Sequence, residues 1–146
     1  MSTSVPAGAR PGVVNAAYVL WLIAAVLLVL VALLTLTVPV DQLRPALEQQ
    51  GTSSAAIDSY LSLIRVVGVV CAVLGLVVGF LAGPVRAGHG MLRRALVGIS
   101  IFAALVLVLG VLALGAFQEL LAIALVLLVA CMLVYRPSAR SWFHRE

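Results

Sequence analysis

Few residues in this chain are of a type that does chemistry, and none of them is grouped. Arg65 is the one charge set inside an apolar run, about a turn beyond Tyr60. A charge in such a place is a functional-site candidate by default. Three readings compete for it: a side chain reaching out to lipid headgroups, an ion pair with Glu119 or Asp58, or a place near a substrate, proton or anion path. Cys71 and Cys131 each sit among apolar neighbours and form no CxxC pair. They read as small buried hydrophobes rather than redox thiols. His89 and His144 stand alone, with no carboxylate or cysteine at ligand spacing. No metal site, no cofactor and no catalytic residue is therefore expected, and the chain does not read as an enzyme.

The elements that carry these residues are four long apolar runs, at residues 13–40, 60–81, 95–114 and 117–135. About 20 apolar residues, rising 1.5 Å each, cross a hydrocarbon core of roughly 30 Å. Of the 146 residues, 64% are hydrophobic and 10% charged, and the mean hydropathy is +1.26. A soluble domain has about a quarter of its residues charged. The sequence thus predicts an all-α, four-helix transmembrane bundle with spans at about 13–38, 60–82, 93–114 and 117–135. Residues 1–12 form a disordered N-terminus and residues 136–146 a juxtamembrane tail. The first run is too long for a secretory signal and lacks a small-residue cleavage pattern, so it is read as a retained span.

The chemistry of transport is poorly provided for. Proton coupling needs a carboxylate in the middle of the membrane, as the small multidrug-resistance exporters have in their first helix. The first, second and third spans here hold no acid. A channel needs a polar stripe, and Asn15, Thr35, Thr37 and Ser100 are scattered in depth. An oligomeric small transporter or channel with Arg65 near an anion path stays as the alternative.

The second span carries the clearest packing signal. Gly75, Gly79 and Gly83 form a GxxxGxxxG run, and Gly68 and Ala72 extend it upstream. Small residues let helix backbones approach closely in lipid. The groove is read either as packing against the first or third helix or as a contact with a second copy or a partner membrane protein. Gly83-Pro84 is expected to end this helix, leaving residues 84–94 as a non-helical loop. The first loop holds a short helix over residues 42–50, capped by Asp41 and stopped by Gly51, with Ser53 or Ser54 capping the next. The third and fourth runs are too long to be one helix, so the chain turns back between Gly115 and Glu119.

Charge then sets orientation. The net charge of +4 comes from nine arginines, no lysine and five acids. Seven arginines (Arg10, Arg86, Arg93, Arg94, Arg136, Arg140 and Arg145) fall on one side of the spans, and Arg44 and Arg65 on the other. The positive-inside rule places both ends in the cytoplasm. Because the arginines flank apolar spans, lipid rather than nucleic acid is the expected partner. Arg86, Arg93, Arg94, Arg136 and Arg140 are read as phosphate contacts, with Trp142 and Phe143 as rings in the acyl boundary. Tyr18 and Trp21 are placed at headgroup level for the same reason.

The segment Leu92-Arg93-Arg94-Ala95-Leu96 and the end Val134-Tyr135-Arg136-Pro137-Ser138-Ala139-Arg140-Ser141-Trp142-Phe143 together resemble a recurring family of small four-pass membrane proteins in actinobacteria, a family of uncharacterised function. Its members show a basic-aromatic start to the third helix and end on Arg-Pro, small residues and an aromatic pair. Leu92 and Arg93 stand here in place of the tryptophan usual at that start. The resemblance implies an integral plasma-membrane protein and carries over no active site.

Overall fold

A computed structural model describes residues 12–115 and 117–143. They form six helices: α1 (Gly12–Leu36), α2 (Val40–Gln49), α3 (Ser54–Arg86), α4 (Gly90–Leu114), α5 (Glu119–Val134) and α6 (Pro137–Phe143). There is no strand among the described residues. Helices α1, α3 and α4 are long and apolar enough to cross a membrane, and α5 is a shorter apolar helix. The expected disorder of the N-terminus and the placement of Arg10, His144 and Arg145 lie outside the described residues.

The four apolar helices pack in a ring. Helix α1 touches α3 and α5, and α4 touches α3 and α5, so α1 and α4 face each other across one diagonal. The most extensive contact is between α1 and α3. Leu74 apart, the buried residues of α3 run Ile57, Leu61, Ile64, Gly68, Cys71, Gly75, Val78, Ala82 and Val85. Their steps alternate four and three, a mean of 3.5. Helices α1 (Val14, Ala17, Trp21, Ala24, Leu28, Thr35) and α5 (Leu120, Ile123, Leu127, Ala130, Val134) keep the same beat. A 3.5-residue repeat holds a seam in contact only if the helices wrap left-handed around one another.

The connections are shorter than the sequence predicts. Helix α3 does not end at Gly83-Pro84 but continues through Pro84 to Arg86. It stops at Gly88, whose φ of 106° suits a residue without Cβ. The amide of Gly88 donates to the Val85 carbonyl (3.0 Å) and that of His89 to the Pro84 carbonyl (3.4 Å). This Schellman closure satisfies the last turn and leaves only residues 87–89 between α3 and α4. The expected loop over residues 84–94 is therefore mostly helix. The same closure ends α2, where Gly51 (φ 78°) and Thr52 donate to Glu48 and Leu47. Helix α2 starts from Pro39 as N-cap, without a side-chain bond. Asp41 thus lies inside its first turn and is not its cap. Ser53 caps α3 by accepting from the Ala56 amide at 3.4 Å. Helix α4 ends on Gly115 in the left-handed region, and the chain turns back there as expected. Phe117 also has positive φ, 63°, a conformation costing a bulky residue roughly 1–2 kcal/mol.

Candidate functional site

The arginine-rich end of the bundle gathers the N-termini of α1 and α4, the C-termini of α3 and α5, and α6. Arg86 sits in the last turn of α3, where a cation suits the helix dipole. Its Nε donates to Asn15 Oδ1 at 3.3 Å, and its guanidinium lies 4.6 Å from the centre of the Tyr18 ring. Arg93 stacks over two rings, 4.6 Å from Phe143 and 5.4 Å from Tyr135. Its Nε is buried and has no hydrogen-bond partner among the described residues. Cation–π contacts of this kind contribute about 0.5–2 kcal/mol each. Arg94 and Arg136 are exposed.

Helix α6 makes the second half of this end. Pro137 does not simply stop α5. It begins α6, as proline does well in a first turn, and α6 folds back against α1 and α5. Ala139 and Phe143 are buried. The Phe143 ring, expected in the acyl boundary, is instead covered by Arg93. The side chains of Arg140 and Trp142 lie outside the described part of the structure.

At the opposite end stand Asp41, Glu48, Asp58 and Glu119. Of the readings of Arg65, the ion pair with Glu119 or Asp58 is not seen among the described residues: Arg65 and Glu119 are both exposed, and α3 and α5 face each other across the other diagonal of the ring. The one ion pair among the described residues joins Arg44 of α2 to Asp58 of α3. Its side chains are 41% and 61% exposed, so water screens it. A double-mutant cycle with Arg44→Gln and Asp58→Asn is expected to give a coupling below about 1 kcal/mol that fades at high salt. A coupling several times larger would mean that α2 is held by this pair.

The glycine stripe divides by position. Helix α1 lies against Gly68 and Gly75, which are buried. A Cβ on Gly68 would come within 2.5 Å of Thr35 Oγ1, and one on Gly75 within 3.0 Å of the Ala25 carbonyl oxygen. Ala72 is half-buried. A Cβ on Gly79 would meet the Ala25 methyl at an ordinary 3.5 Å, and one on Gly83 would meet nothing within 4 Å. The cause is arithmetic. Steps of four on a helix of 3.6 residues per turn drift by about 40° each, so the run leaves the α1 seam by Gly83.

Sequence reasoning missed one buried polar contact. Trp21, expected at headgroup level, is 1% exposed. Its Nε1 donates to Ser100 Oγ at 3.1 Å across the α1–α4 diagonal. The signal was available in the spacing of Val14, Ala17, Trp21, Ala24 and Leu28, which puts Trp21 on the seam. Cys71 and Cys131 are both buried, with no disulfide.

Among the described residues no group of three or more His, Cys, Asp or Glu is placed to hold a metal ion. The fold and this end define an all-helical protein with three membrane-length apolar helices. No family model matches the chain, and neither a curated protein nor a solved structure matches it.

Proposed function

We propose that the chain is a four-pass integral protein of the plasma membrane, with both ends in the cytoplasm, acting as a structural or accessory component through helix–helix and lipid contact. The observation that carries this reading is the outward surface of α1, α3, α4 and α5. Leu34 (69%), Phe80 (76%), Leu112 (74%) and Met132 (72%) are representative of a belt of exposed apolar side chains. Monomeric soluble proteins rarely expose contiguous apolar patches beyond a few hundred Å², and hydrocarbon is the solvent that suits this one. At 16 residues, α5 is about 24 Å long, short of the hydrocarbon core. A locally thinner bilayer accommodates such a span at modest cost. The resemblance to the actinobacterial proteins agrees with a plasma-membrane location.

This reading is preferred to an oligomeric transporter because the interior offers little to a polar substrate. Among the described residues the buried polar ones are Thr35 and Ser100. Thr35 donates to the Val31 carbonyl at 2.8 Å, and Ser100 accepts from Trp21. Arg65 is exposed on the outside of α3.

A reporter enzyme fused after Glu146 is expected to behave as cytoplasmic, and one inserted in the loop before Ser53 as external. The reverse pattern would overturn the orientation. Opposite locations for a reporter at each end of the chain would remove one of the four passes.

A further inference from the structure

An open groove of about 670 Å³ runs between α4 and α5 at the arginine-rich end. Val97 and Ile101 of α4 and Leu128 and Met132 of α5 form its walls, and Tyr135 and Arg136 stand at its mouth. From Leu128 the groove follows α5 for about 9 Å to its end at Val134, and Arg136 stands just past that end. Its apolar part and its charge are therefore separated along the helix, chain below and cation above.

We infer that this groove holds an acyl chain of an anionic phospholipid, with the phosphate against the Arg136 guanidinium. The inference rests on the membrane reading above. Three observations choose the occupant. Arg136 is exposed, and its side chain has neither ion pair nor hydrogen bond among the described residues. The described acids all lie at the far end of the bundle, so none of them neutralises this guanidinium, and phosphate matches its fork of donors. Arg93, stacked over the Tyr135 ring, adds a second positive charge beside the same mouth. Basic pockets between membrane helices take anionic headgroups in this way. A peptide fits poorly, since the apolar walls offer its backbone no hydrogen-bond partners. A second copy seated symmetrically in the groove would bring Arg136 against its own counterpart.

The test is native mass spectrometry of the full chain in mild detergent, offered phosphatidylglycerol and phosphatidylcholine of matched chain length. Wild type is expected to retain phosphatidylglycerol about fivefold better, the increment of one well-placed arginine. Arg136→Gln should bring the ratio close to one. Arg44→Gln, which removes a charge at the opposite end of the bundle, should leave it unchanged. Ile101→Trp, on the half-exposed groove wall, should lower retention of both lipids. Equal retention by wild type, equal loss in Arg44→Gln and Arg136→Gln, or undiminished preference in Arg136→Gln would each overturn the lipid site. Carbonate extraction of the same protein from vesicles keeps the two readings apart. A chain that is extracted refutes the membrane reading, whereas an inserted chain without lipid preference refutes the groove alone.

Discussion

Gly75→Leu is expected to force α1 and α3 apart and to cost more than the same change at Gly79 or Gly83. The added side chain would point at the α1 backbone. Its first carbon alone would stand 3.0 Å from the Ala25 carbonyl oxygen and 3.0 Å from a Val29 methyl. A carbonyl oxygen held in a helical ladder cannot swing away as a side-chain tip can. Over-packing a well-filled interior costs about 1–3 kcal/mol, and more when backbone must shift. Here the shift would act along the most extensive interface in the bundle. The expected result is a fall in the thermal midpoint in detergent and loss of the monodisperse peak on size exclusion. Gly83→Leu should leave both unchanged, because the space beside Gly83 is open, and Gly79→Leu should fall between. If Gly83→Leu proves as damaging as Gly75→Leu, the stripe works between molecules rather than within one.

The second large effect is expected at Trp21. Truncation to alanine empties a volume that lies wholly inside the ring of helices and removes the donor to Ser100. Losses for buried Trp→Ala in cores run to about 3–5 kcal/mol. Trp21→Phe retains most of the ring volume and removes only the Nε1 donor, so it isolates the polar part. Inter-helical hydrogen bonds in membranes average about 0.6 kcal/mol by double-mutant cycles. A cycle of Trp21→Phe with Ser100→Ala should give a coupling of that order, read from reversible unfolding in mixed micelles. A coupling near zero would mean that the two side chains meet without holding each other.

The elements of this fold are legible in local pattern, and their neighbours are not. Apolar length marks the long helices, Gly51 and Gly115 mark helix ends, and the arginines already separate one end of the spans from the other. The contacts that local pattern misses depend on which helix stands beside which. Arg65 and Glu119 sit near the same end, yet their helices lie on a diagonal. The amphipathic chemistry of Trp21 points to the headgroups, but its place on a 3.5-residue seam is the stronger constraint. Pro84 reads as a stop because its missing amide breaks a ladder. The helix carries that lost bond and runs on through Pro84 to Arg86, and the left-handed residue at Gly88 makes the true boundary. Phe143 reads as a lipid-facing ring because nothing local says that α6 folds back to bring it under Arg93.

The three-residue turn between α3 and α4 has a further consequence for how this chain can change. Each residue added to or removed from a helix rotates the chain downstream of it by about 100°, and a turn of three has no slack to absorb it. A single insertion or deletion near Gly88 would swing Ser100 out of line with Trp21 and carry Val97 and Ile101 away from α5. The connection from α1 to α3 is different. It runs through α2, a separate amphipathic helix that packs chiefly on α3, and an extra residue near Thr52 would be taken up before Ser53 starts the next helix. Length variation should therefore be tolerated in the segment that carries α2 and be lethal to the bundle at the arginine-rich turn.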